Sequence, residues 1–193
     1  MRRYLFVFIL LSAQSLFSAP LDGLWKKTCS HRSTREELFA GDHVKYSEKY
    51  FADDLCGVML VAFISSGPFQ VLALETQGLI IQGRISGAQK INFIFEHAEI
   101  VLQSPQIVVD FNQRKVCGRE DWTTGTHSII NLTCDFFKLG RDFPAPKYGQ
   151  EKFGIFKVAT PLLYFGQLSH TFDGSTDSKR PQELEPEPYH RMN

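Results

Sequence analysis

The chain has 193 residues, with 21 basic and 21 acidic side chains, a formal net charge of zero and 43% hydrophobic residues. That balance, without basic clusters, excludes an electrostatic footprint for nucleic acid or an anionic membrane surface, and the length allows one domain with a substantial core. Cysteines, histidines and acids show no metal-ligand spacing, so neither a metal nor any other cofactor is called for.

Residues 1–15 carry the three parts of a secretory signal: Arg2 and Arg3, an apolar run from Tyr4 to Leu11, and small residues at Ala13 and Ser15. Cleavage after Ser15 is preferred to cleavage after Ala19, which would put Phe17 at a small-residue position. The apolar run is well short of the roughly 20 residues of a membrane helix, so no stable membrane span is expected. Removing Arg2 and Arg3 leaves 19 basic against 21 acidic residues on a secreted or periplasmic chain. All four cysteines lie beyond the signal, and an even count in an exported chain points to disulfides. Three connectivities are open; the sequential one, Cys29 with Cys56 and Cys117 with Cys134, is preferred because each pair brackets one short segment of hairpin.

From Trp25 to Leu168 short apolar stretches alternate with period two. "CGVMLVAFIS" (56–65) is apolar on both faces and reads as a covered strand. "GLIIQGRIS" aligns Ile81, Gly83 and Ile85; "KINFIFEH" aligns Ile91, Phe93 and Phe95; "HAEIVLQ" aligns Ala98, Ile100 and Leu102. The intervening "SSGP" (65–68), "TQG" (76–78) and "SGAQ" (86–89) have tight-turn composition. In "SPQIVVDFNQRKVCG", Ser104 is a good N-cap with Pro105 at the first helical position, which predicts a short helix with Ile107 and Phe111 on one face. Strands resume at 127–137, 152–160 and 161–168, with an irregular rim over 138–152 between the first two. The polar, proline-bearing segment 171–193 reads as an extended or disordered tail outside a barrel of residues 20–170. Eight or nine strands, one short helix and two disulfides make a mainly β, antiparallel up-and-down barrel the expected fold.

The opening "LDGLWKKTC", with Gly23 and Trp25 on the first strand, resembles the lipocalin (calycin) pattern. Further along, "YFADDLCG", "CGREDW", "KFGIFKV", "LLYFG" and "DGSTDSKRPQEL" follow the order of motifs in small exported bacterial lipocalin-like proteins. Those are distantly similar to the adenomatosis-polyposis-coli-down-regulated domain. The resemblance implies a lipocalin-like barrel, a Cys29–Cys56 pair, and a tryptophan packed across the closed end. It also implies a basic residue from the last strand over that ring, for which Lys157 and Arg180 are the candidates.

For function the sequence offers binding. Eight strands enclose a space that side chains either fill or line, and Ile81, Ile85, Phe93, Phe95, Ile100, Phe153 and Ile155 are the candidates to line a site for a small apolar ligand. The alternative is a filled barrel acting on a protein partner through its outer surface, by residues 57–64 or the aromatic "DFFKLGRDFPAPKYG". No catalytic residue is assigned and the chain is not expected to be an enzyme. Asp53 and Asp54 are adjacent, so on a strand they face opposite ways, and no phosphate loop, nucleophile elbow or His-Glu-x-x-His occurs. Trp122 reads as a packing anchor, and the sequon at Asn131 as incidental beside Cys134.

Overall fold

A computed structural model describes residues 21–72, 80–81, 84–85, 87–134 and 145–192. Among these the strands are β1 (Gly23–Lys26), β2 (Ser33–Ala40), β3 (His43–Phe51), β4 (Met59–Val71), β5 (Ile80–Ile81), β6 (Arg84–Ile85), β7 (Gln89–Ile94), β8 (His97–Leu102), β9 (Gly125–Ser128), β10 (Glu151–Ala159), β11 (Leu162–Phe165) and β12 (Tyr189–Met192). Each of β1, β2, β3, β4, β7, β10, β11 and β12 pairs antiparallel with the next, and β12 returns to β1 through Trp25↔Arg191. The result is a closed eight-stranded up-and-down barrel. β8 and β9 add to it along β4, and β5 and β6 form a separate small hairpin.

One long strand, β4, explains how the barrel gains its extension. It pairs with β8 from Val61 to Ser66 and with β7 from Phe69 to Val71, so β7 and β8 share a single edge of it. The changeover falls at Gly67 and Pro68. A Cβ on Gly67 would lie 1.9 Å from the carbonyl oxygen of Ile94, so no other residue lets the two backbones pass. The amide of Phe69 turns toward Asp42. By alternation Pro68 therefore presents its missing N–H to the other edge, where β7 gives way to β8. "SSGP", expected as a turn between strands, is thus the interior of one strand.

Helix α1 (Pro105–Gln113) starts as expected, with Ser104 accepting the amide of Ile107 at the cap and Pro105 in the first turn. It packs on β8 and buries Phe111 against Trp122, ring centroids 5.6 Å apart and edge-on. Phe63, Ala98, Ile100, Leu102 and Val116 complete this cluster. The indole N–H of Trp122 donates to the carbonyl of Val116 at 3.0 Å. A second cluster fills the barrel itself: Leu21, Trp25, Phe39, Val44, Phe69, Ile91, Phe156, Leu163 and Tyr189. Both disulfides are sequential, Cys29–Cys56 and Cys117–Cys134.

Three expectations are corrected. Residues 78–86, read as one strand, hold two short strands that pair with each other, Ile80↔Ile85 and Ile81↔Arg84. The strand expected over 127–137 ends at Ser128, and Ile129–Cys134 is irregular, its backbone turning through the positive φ of Asn131. The segment 171–193 is not a tail outside the barrel. Leu184 bridges to Gly166, and β12 supplies the stave that closes the ring between β11 and β1. Arg180, 5% exposed, ties that segment to the outer wall by donating to the Ile91 carbonyl at 3.0 Å and to Asn92 at 2.8 Å.

Candidate ligand-binding cavity

The floor of the barrel follows from the alternation of β1, β2 and β4, which puts Trp25, Phe39 and Phe69 on one inward face. Phe39 and Phe69 meet edge-on at 5.1 Å, and Trp25, 1% exposed, donates its indole N–H to the Leu21 carbonyl at 2.6 Å. Gly23 has φ +115°, a conformation costly for any side chain. Over the Trp25 ring, 5.5 Å from its centroid, lies the guanidinium of Arg191, which also donates to the Asp22 carbonyl. The basic residue expected there was sought at Lys157 or Arg180. Lys157 alternates with the inward Phe156 and Val158 on β10, and Arg180 lies on the outer wall, so neither takes the place. Arg191 escaped notice because the last strand had been read as tail.

Above this floor the inward side chains of β2 and β3 change character. Arg35 and Glu37 continue the face of Phe39; Tyr46, Glu48 and Tyr50 continue that of Val44. With Lys27, Phe63, Phe93, Lys152, Phe165 and Glu185 they line a cavity of about 940 Å³. The charges are organised in pairs. Glu185 enters from the segment paired with β11, one carboxylate oxygen on Lys27 Nζ and the other 2.9 Å from Arg35 Nη1. Arg35 Nε lies 3.1 Å from Glu48, itself 6% exposed. Burial opposes the charge on Arg35, but the surrounding Tyr46, Glu48 and Glu185 outweigh it and raise its pKa.

Glu37 is different. It is 6% exposed, lines the cavity, and has no hydrogen-bond partner among the described residues. Burial pushes its carboxyl up to about 8 despite the opposing field of Lys152, with Glu185 adding to the rise. Burial likewise raises the phenol of Tyr189, with Glu37 contributing. A carboxyl that holds its proton more tightly when folded stabilises the fold fully below its unfolded pKa, and that stability is lost as pH rises through the folded value. Chemical denaturation of the wild type should therefore show a decline of about 1.4 kcal/mol per pH unit from this group, across the window between the ordinary glutamate value and about 8. Glu37→Gln should flatten that decline and be the more stable protein at its upper end. Parallel pH profiles for the two proteins would contradict the assignment.

Of the residues expected to line a ligand site, Phe93 and Phe95 do border the cavity. Phe153 and Ile155 border it too, from the strand face that alternates with Gly154 and Phe156, and there the C-terminal segment packs on them: Arg180 lies 5.3 Å over the Phe153 ring, and Ile155 meets Pro181 beside Gly166. Ile100 is fully buried in the cluster beneath α1 and does not reach the cavity. The side chains of Ile81 and Ile85 lie outside the described residues, as does most of "DFFKLGRDFPAPKYG". The charged and tyrosine lining was missed altogether. Its one signal was the run of charges at alternate positions in "STREELFA" and "HVKYSEKY", which resembles a wet strand face. No family model matches this chain, and none of the curated proteins does.

Proposed function

We propose that the chain is an exported lipocalin-like binding protein whose barrel holds one small molecule, taken up against aromatic side chains and oriented by the charged groups above the floor. The observation that carries this reading is the cavity of about 940 Å³ inside a closed eight-stranded barrel. Its volume falls within the range of small-molecule sites, and an eight-stranded barrel is just wide enough for one such ligand. The Gly23, Trp25 and Arg191 grouping supports the lipocalin-like reading. The signal-like residues 1–15 and the two disulfides support export to an oxidising compartment. Native mass spectrometry of the oxidised protein, purified from its exported form without added ligand, tests it. The expected result is a retained organic adduct of a few hundred daltons. A bare protein mass, together with no uptake of an apolar dye, would sink the reading.

A further inference from the structure

The cavity wall already demonstrates one kind of recognition. Lys27 and Arg35 hold the two oxygens of the Glu185 carboxylate separately, and Arg35 turns its remaining edge to Glu48. Those four groups leave the wall near neutrality apart from Lys152. The register Phe93↔Lys152 puts Lys152 on the same inward face as Phe93, and its charge is the nearest electrostatic influence on Glu37. Glu37 is buried, lines the same cavity and lacks a hydrogen-bond partner among the described residues. A dry carboxyl of this kind is costly unless a bound group completes it.

We propose that Lys152 and Glu37 form the head site of the cavity and that its ligand is a monoanionic amphiphile with a carboxylate head, its hydrocarbon lying against Phe63, Phe93 and Phe165. This inference rests on the reading that the barrel takes a ligand. A ligand carboxylate accepts from the Lys152 ammonium and from the proton of Glu37, two charge-assisted hydrogen bonds. The groups facing Glu37 are Lys27 from β1, Arg35 from β2, Tyr46 and Glu48 from β3, Lys152 from β10, Glu185 from the segment before β12 and Tyr189 from β12. With Glu37 protonated these sum to one positive charge. A monoanion neutralises it, a cation adds to it, and a neutral head leaves it unanswered. Once Glu37 ionises, it repels the same carboxylate.

The test is calorimetric titration of the full oxidised protein with three probes of one chain length below their micelle concentrations: dodecanoate, dodecanol and dodecylammonium. At about pH 6.5, dodecanoate is expected to bind about tenfold more tightly than dodecanol, the worth of one charge-assisted hydrogen bond, with dodecylammonium the weakest. Lys152→Met should bring dodecanoate down to the affinity of dodecanol and leave dodecanol unchanged. Raising the pH to about 9 should weaken dodecanoate alone, since only its partner Glu37 loses a proton in that interval. Dodecanol or dodecylammonium binding as tightly as dodecanoate overturns the head assignment while the carrier reading stands. Binding of none of the three, with some other molecule retained in the native mass spectrum, also overturns the head assignment. Binding of none, with no retained molecule, overturns the carrier reading with it.

Discussion

Truncation after His170 is expected to abolish cooperative folding. The lost segment carries β12, whose pairing with β1 and β11 is the seam of the barrel. Without it both strands present open edges, the condition that invites strand-to-strand aggregation. The deletion also removes Tyr189, 2% exposed in the barrel core, whose burial alone is worth about 2 kcal/mol. It removes the Glu185 carboxylate as well, leaving Lys27 and Arg35 in the wall without that shared partner. A partly buried cation stripped of its carboxylate costs far more than the pair contributes when intact. Against a domain stability of about 5–15 kcal/mol the sum is decisive. Thermal unfolding followed by near-ultraviolet circular dichroism, with size-exclusion chromatography of the oxidised protein, reads the outcome. The full chain should melt in one transition and the truncated one should show none, or run as aggregate. A truncated monomer with a sharp melt would mean that β12 is an accessory strand and that the barrel closes without it.

Several elements were legible because their chemistry is one-sided. β7, β8 and β10 alternate apolar and polar residues as half-buried strands do, and Ser104-Pro105 announces α1 at its first turn. The elements that were misread have physical reasons. Gly67 and Pro68 carry turn composition, yet in β4 they serve a close approach and a missing ladder donor at the point where its partner changes. β12 is the four residues Tyr189–Met192 behind a proline-rich stretch, and only Tyr189 among them is buried. Its membership in the barrel is enforced by partners more than 160 residues away in the chain, a distance at which local composition carries no information.

The cavity was the least legible part for the same reason that it is of interest. Strand pattern analysis assigns charged residues to water, so Arg35, Glu37 and Glu48 on β2 and β3 hide the fact that their face continues that of Phe39 and Val44. An inward face holding charges departs from the pattern that folds the protein, and such departures concentrate at functional sites. The paired carboxylates and cations offset one another's desolvation, which lets the wall exist at all. Glu37 is outside those pairs, and its stability cost above neutral pH is the measurable trace of a group kept for binding.

Trp25 carries the largest single-residue effect expected in the chain. Trp25→Ala should lower stability by about 4 kcal/mol, combining the lost transfer of a large ring with the cavity left behind. Collapse around the gap is limited, because Phe39 and Phe69 are fixed edge-on to each other beside it and the backbone at Gly23 is constrained by its positive φ. Trp25→Phe separates the ring from its polar edge: it keeps most of the packing but orphans the Leu21 carbonyl, which accepts the indole N–H at 2.6 Å, at a cost of about 1–3 kcal/mol. Arg191→Ala removes the guanidinium 5.5 Å from the ring and its bond to the Asp22 carbonyl. A double-mutant cycle between Trp25→Ala and Arg191→Ala should return a coupling of about 0.5–1 kcal/mol, the size of a partly exposed cation–π contact. Denaturant titrations of the four proteins, compared at constant slope, give all the values. If Trp25→Ala stays within about 1 kcal/mol of wild type, less than one core large-to-small change, the indole does not hold the floor of the barrel. If the coupling is nil while Trp25→Ala is costly, the plug stands and Arg191 acts only through the Asp22 carbonyl.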